Sequence, residues 1–185
     1  MKLHIKAVFA LSLLAFGGAA RLAAEDSGKA DAAALTFAKE EYFHRWSKDD
    51  QHEFTPRGQE DLMRWSDMVT LHSYQNAKDG EGLAATANAV LENYKRAQAK
   101  LVRTDSVPRT AEKPAEYLIV VLFPQPDFIE AVFARFKLEG GVGRSFIYSH
   151  REYGKKVGDQ MSAWLQKNGP ATEKALMSME PLPVP

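Results

Sequence analysis

The chain has 185 residues, 45% of them hydrophobic and 26% charged, which suits one folded domain with a core of its own. Its 24 basic and 24 acidic residues cancel, so there is no basic excess of the kind nucleic-acid binding needs and no polybasic membrane anchor. Cysteine is absent, which removes disulfides, thiol nucleophiles and an acylated-cysteine lipid anchor.

The first residues follow the secretory pattern. Lys2 and Lys6 form a positive start, Ala7 to Phe16 is apolar, and Gly17, Gly18, Ala19 and Ala20 are small. The apolar run is too short for a membrane span, which takes about 20 residues. A signal peptide over residues 1–24 is expected, with the cut after Ala24 or after Ala20. Loss of Lys2, Lys6 and Arg21 leaves 21 basic against 24 acidic residues. The expected product is a periplasmic protein with no membrane span and no lipid anchor.

Residues 25–40 are rich in Ala, Asp and Lys and predict a mobile lead-in or a short helix. A single domain is expected over 41–170. Glu41 to Trp46 and His52 to Thr55 flank the turn-like Ser47-Lys48-Asp49-Asp50 and predict a hairpin, with His44 and His52 facing each other. After Pro56-Arg57-Gly58, Trp65, Val69 and Leu71 fall on one side of an extended segment. Leu83, Ala87, Val90, Leu91 and Tyr94 repeat at helical spacing. Asp79 and Glu81 at the start, and Lys95 and Arg96 at the end, suit that helix's dipole.

Four strands follow. Lys100 to Val107 stops at Pro108. Tyr117 to Phe123 is continuous and β-rich, as a strand covered on both faces would be. Phe128 to Leu138 and Arg144 to Tyr153 flank Glu139-Gly140-Gly141-Val142-Gly143, a hairpin connection. Val157, Met161, Trp164 and Leu165 mark a closing helix that Gly169-Pro170 ends or interrupts. Residues 171–185 are expected as a tail, with Pro181 to Pro185 extended and exposed. A helix followed by clustered strands predicts an α+β fold, a mostly antiparallel sheet covered by two main helices.

No residue cluster spells out a reaction. None of His44, His52, His72 and His150 has a second histidine within four residues, so the close spacing of a zinc site is missing. Ser149 and His150 are neighbours on a strand and point to opposite faces, which is wrong for a nucleophile and its base. Gly140, Gly141 and Gly143 lie between strands, not before a helix, so a turn is expected rather than a phosphate cradle. Asp49-Asp50 and Glu60-Asp61 lack the ligand series of a calcium loop. No catalytic residue, metal ligand or cofactor is expected. Candidate binding residues are the aromatics Trp46 and Tyr148, the strand-end pair His150 and Arg151, and a cationic patch of Arg135, Arg144 and Arg151.

The order of elements resembles the Mog1/PsbP-like fold, including the bacterial periplasmic DcrB-like proteins. The leader, the early strand pair, Trp65 to Leu71, the helix from Gly82 to Ala97, the strands from Tyr117 to Tyr153 and a helix around Trp164 carry it, across roughly Glu41 to Asn168. The resemblance implies a small non-enzymatic binding or assembly protein. It carries over no functional residue. The chain departs from the lipoprotein members in lacking the acylated cysteine. The expected function is therefore an exported binding protein whose partner is a protein or a cell-envelope component; toxin immunity is one form of it. A small hydrolase with a site assembled by the fold is the alternative, and a small-ligand carrier is a third. The sequence leaves oligomeric state open.

Overall fold

The computed structural model describes residues 34–155 and 157–183. The expected signal peptide, the first part of the lead-in and the last two residues lie outside them.

The described residues form one antiparallel sheet of eight strands with two helices. The strands are β1 (Leu35–Phe37), β2 (Glu40–Lys48), β3 (Gln51–Pro56), β4 (Asp67–Tyr74), β5 (Lys100–Val107), β6 (Glu116–Pro124), β7 (Phe128–Glu139) and β8 (Val142–Tyr153). Helix α1 (Gly80–Arg96) separates β4 from β5, and α2 (Val157–Met177) follows β8. The sheet order is β1-β2-β3-β4-β8-β7-β6-β5. The α+β layout predicted from the sequence is what the chain adopts.

Strand alternation decides the two cores. Val120, Phe133, Phe146, Tyr148 and Val69 lie on one face and pack with Met161 and Leu176 of α2. Ile119, Val121, Val132, Phe136 and Ile147 lie on the other and pack with Leu83, Ala87 and Tyr94 of α1. Helices therefore cover opposite faces. Helix α1 starts where Asp79 Oδ1 accepts from the Gly82 N–H at 2.8 Å, a side-chain cap. The β7–β8 turn places Gly140 and Gly141 at φ +59 and +75, the conformation that a two-residue hairpin loop asks of glycine. Gly143 follows because its N–H donates to the Ala77 carbonyl at 2.7 Å; a Cβ there would stand 2.6 Å from the Ala77 Cβ.

The chain differs from the sequence expectation in four places. The predicted lead-in is already sheet from Leu35, since Leu35 and Phe37 alternate with exposed Thr36 and bury their side chains beside Tyr42. Trp65 does not share a face with Val69 and Leu71. The strand starts only at Asp67, and Trp65 turns under Arg151 on the opposite face. Helix α2 runs through Pro170 to Met177 instead of stopping there. The lost amide bond, about 3 kcal/mol in a helix interior, is offset by burial of Met161 and Leu176 against the sheet. The tail is not wholly exposed either: Leu182 is buried in the α2-side core.

Candidate functional site

Of the six residues singled out from the sequence, the sheet gathers only some. Pairing sets Phe133 opposite Tyr148 and Ala131 opposite His150, while Glu130 lies opposite Arg151. Tyr148, His150, Arg144 and Arg135 thus face α2, and Arg151 faces away. Trp46, paired with Glu53, lies on Arg151's face. The expected cationic patch does not form, because strand alternation sends Arg151 through the sheet.

Two of the three arginines are committed elsewhere. Arg135 is 1% exposed. Its guanidinium donates to Glu116 Oε2 at 2.6 and 2.8 Å, and its Nη1 donates to the carbonyls of Leu176 at 2.9 Å and Met179 at 2.6 Å. It thereby holds the end of α2. Arg151 donates to Glu130 at 2.9 Å and lies between the rings of Trp65 and Phe128, 3.8 and 4.4 Å from their centroids. Burial raises the Glu130 carboxyl above its ordinary range, and the Arg151 charge works against that. Arg144 lies opposite Lys137, and its buried Nε has no partner among the described residues.

Tyr148 and His150 do come together, around a carboxylate. Asp67 begins β4 on the buried face, two residues before Val69. Its Oδ1 accepts from the Tyr148 hydroxyl at 2.6 Å and stands 3.0 Å from His150 Nδ1. The other imidazole nitrogen lies 3.3 Å from Glu152. The His150 ring stacks on Trp164 of α2, with centroids 4.0 Å apart and planes 9° from parallel. Burial raises the Asp67 carboxyl, but the hydrogen bonds from His150 and Tyr148 more than offset this and hold it below its ordinary range. The sign follows. A depressed carboxylate contributes stability above its unfolded pKa and loses it as pH falls through its folded value. Urea denaturation is expected to show wild-type stability falling below about pH 4, with a shallower fall in Asp67→Asn.

Asp67 and Tyr148 also line a cavity of about 370 Å³ with Phe37, Tyr42, Glu40 and Arg57. Tyr42 and Asp67 were not singled out from the sequence. Asp67 left a signal, since the spacing of Asp67, Val69 and Leu71 puts a carboxylate in line with core residues. At the other hairpin, His44 and His52 do face each other, joined through Ser47 Oγ at 2.6 Å to each.

A second place lies at the far edge of the sheet. All eight residues of β5 are exposed, and among the described residues its outer edge pairs with no strand. Leu101, Val102 and Val107 are 48%, 51% and 47% exposed, and among the described residues only Trp46 and Met63 join them as large exposed apolar side chains. A groove of about 370 Å³ runs beside the strand, floored by Val120 and Phe133 and walled by Leu165, Pro170 and Met177 of α2. The β5–β6 register shifts between Leu101 and Arg103 and is regular from Arg103 to Val107.

No protein-family model matches the sequence, and no curated protein matches it. Among solved structures, the chain is similar to the Saccharomyces cerevisiae Ran-binding protein Mog1p, at 10% identity and a TM-score of 0.46 over 75% of this chain and 82% of that one. Human STARD10 is similar at 10% identity and a TM-score of 0.30, over 74% of this chain and 73% of that one. No helix among the described residues is long and apolar enough to cross a membrane.

Proposed function

We propose that this chain is an exported, non-enzymatic binding protein of the periplasm, and that it holds a partner protein by adding an extended segment of that partner to β5 as a ninth strand. The observation that carries this reading is the edge itself: an eight-residue strand whose outward-pointing backbone groups, on alternate residues, pair with no described strand, three large apolar side chains, and a largely apolar groove beside them. Strand addition draws affinity from main-chain hydrogen bonds and specificity from pockets for alternate side chains, and the edge and groove offer one of each. Native sheets blunt a free edge with charge and bulges. Lys100 and the register shift do so at one end of β5; within the regular stretch that runs from Arg103 to Val107, the charges of Arg103 and Asp105 are paired with each other. The leader-like start supports export, and the resemblance in element order supports a binding role.

Placing lysine on the edge tests this. Val102→Lys with Val107→Lys is expected to lower recovery of the partner from periplasm about tenfold or more, because charge on an edge strand opposes pairing. Both side chains are exposed, so thermal stability is expected to stay within about 0.5 kcal/mol of wild type for each change. Undiminished recovery by a folded variant overturns the reading.

A further inference from the structure

The cavity around Asp67 is a second site, independent of β5. We infer that it binds an organic ammonium group, seating the cation on the aromatic lining of Tyr42, Tyr148 and Phe37 and against the Asp67 carboxylate.

Three features converge. First, the lining combines aromatic rings with carboxylates. Phe37 and Tyr148 are packed with centroids 5.2 Å apart and planes tilted by 44°, and Asp67 and Glu40 supply the charge. A desolvated cation is attracted to ring faces as well as to carboxylate. Second, Asp67 is held ready. Tyr148 and His150 both engage Oδ1, the second carboxylate oxygen carries neither bond, and the side chain stays 27% exposed on the cavity. Third, Tyr42 is 2% exposed, yet its hydroxyl makes no hydrogen bond among the described residues while it lines the cavity. A ligand N–H would satisfy it.

The local charges fit a monocation. Burial, then Asp67 and Glu40, all raise the Tyr42 phenol above its ordinary range, so it stays a neutral hydroxyl. Arg57 is the opposing cation on the lining. Its guanidinium lies over the Phe43 ring, 4.5 Å from the centroid, which occupies it at the rim. An acidic ligand would meet Asp67 and Glu40, and an apolar one would offer the Tyr42 hydroxyl no donor. A cavity of about 370 Å³ lies at the small end of ligand sites and has room for a short alkylamine.

The test is an NMR titration of the protein with n-butylammonium chloride, with n-butanol as the neutral isostere and sodium butyrate as the anion. The amine is expected to shift resonances of Tyr42, Tyr148 and Trp164 saturably, and the alcohol and the acid are not. Asp67→Asn is expected to weaken the amine about tenfold or more. Tyr42→Phe, which removes only the unpartnered hydroxyl and leaves the ring packed, is expected to weaken it by a smaller factor without loss of folding. Vesicles of phosphatidylethanolamine distinguish the source of the group: flotation that butylammonium reverses assigns the site to a lipid headgroup, and amine binding without flotation assigns it to a free amine. No saturable shift with the amine, equal binding of butanol, or unchanged amine affinity in both variants overturns the inference.

Discussion

Arg135→Met is expected to lower the unfolding free energy by about 3–5 kcal/mol, the cost of leaving one partner of a buried ion pair behind. Methionine fills much of the space, so packing is not the main loss. The loss is electrostatic. Glu116, whose side chain is 11% exposed, would lose its buried partner, and the Leu176 and Met179 carbonyls would lose their donor. Those carbonyls close α2, so its last turn is expected to fray, with Leu182 coming out of the core behind it. At about 2–4 °C per kcal/mol for a chain of this size, thermal denaturation followed by circular dichroism is expected to show a fall of about 10 °C. Arg135→Met with Glu116→Leu is expected to recover part of it, since replacing both ions by apolar groups removes the uncompensated charge. A change under about 1 kcal/mol in the single variant would show that Arg135 does not secure the helix.

Arg151→Ala carries the second large effect, about 3 kcal/mol. The guanidinium fills the space between Trp65 and Phe128 and neutralises Glu130, whose side chain is 13% exposed. The pH dependence separates this from a simple packing loss. Burial already raises Glu130, and without Arg151 nothing in the pair opposes it. A raised carboxyl binds its proton more tightly folded than unfolded, so stability falls as pH rises between the unfolded and folded pKa values. The variant's deficit is therefore expected to be largest at neutral pH and to shrink as pH falls toward the ordinary glutamate value, about 4.3. Urea denaturation at several pH values measures it. A deficit that does not change with pH would assign the loss to packing alone.

Both variants concern arginines that a reading of the sequence marks for binding. The sequence shows that Arg135, Arg144 and Arg151 stand on neighbouring strands. It does not show the face each takes, because the register of β7 on β8 is fixed by a two-residue turn inside a five-residue, glycine-rich connection. Nor does it show that Glu116 and Glu130 are there to receive two of them, since both pairs are made across strands. The elements that read clearly were those with local signals. The period and charged ends of α1, the unbroken apolar run of β6 and the glycines of the β7–β8 turn each fix their own conformation. Helix α2 misled because Pro170 is a local stop signal, and Met161 and Leu176 override it through contacts with distant strands. Leu35 to Phe37 were missed because a three-residue strand exists only by pairing with β2.

The same distinction governs the two sites. Asp67 could have been suspected, as a carboxylate in phase with Val69 and Leu71. Tyr42 could not, because its place on the cavity depends on how β2 pairs with β1 and β3. The exposure of β5 is likewise invisible in its sequence. Leu101, Val102 and Val107 would be core residues if a ninth strand or a longer α2 covered them. In this chain α2 stops beside the strand and leaves a groove.

The most direct test of the binding reading is a photocrosslink from the edge. A benzophenone amino acid at Val107 is expected to yield one discrete adduct with a partner protein in living cells. The same probe at exposed Glu92 on α1 is expected to yield none, and Val102→Lys is expected to abolish the Val107 adduct. Crosslinking from Glu92 and not from Val107, or an adduct that survives Val102→Lys in a folded protein, would contradict strand addition at β5 as the way this protein holds its partner.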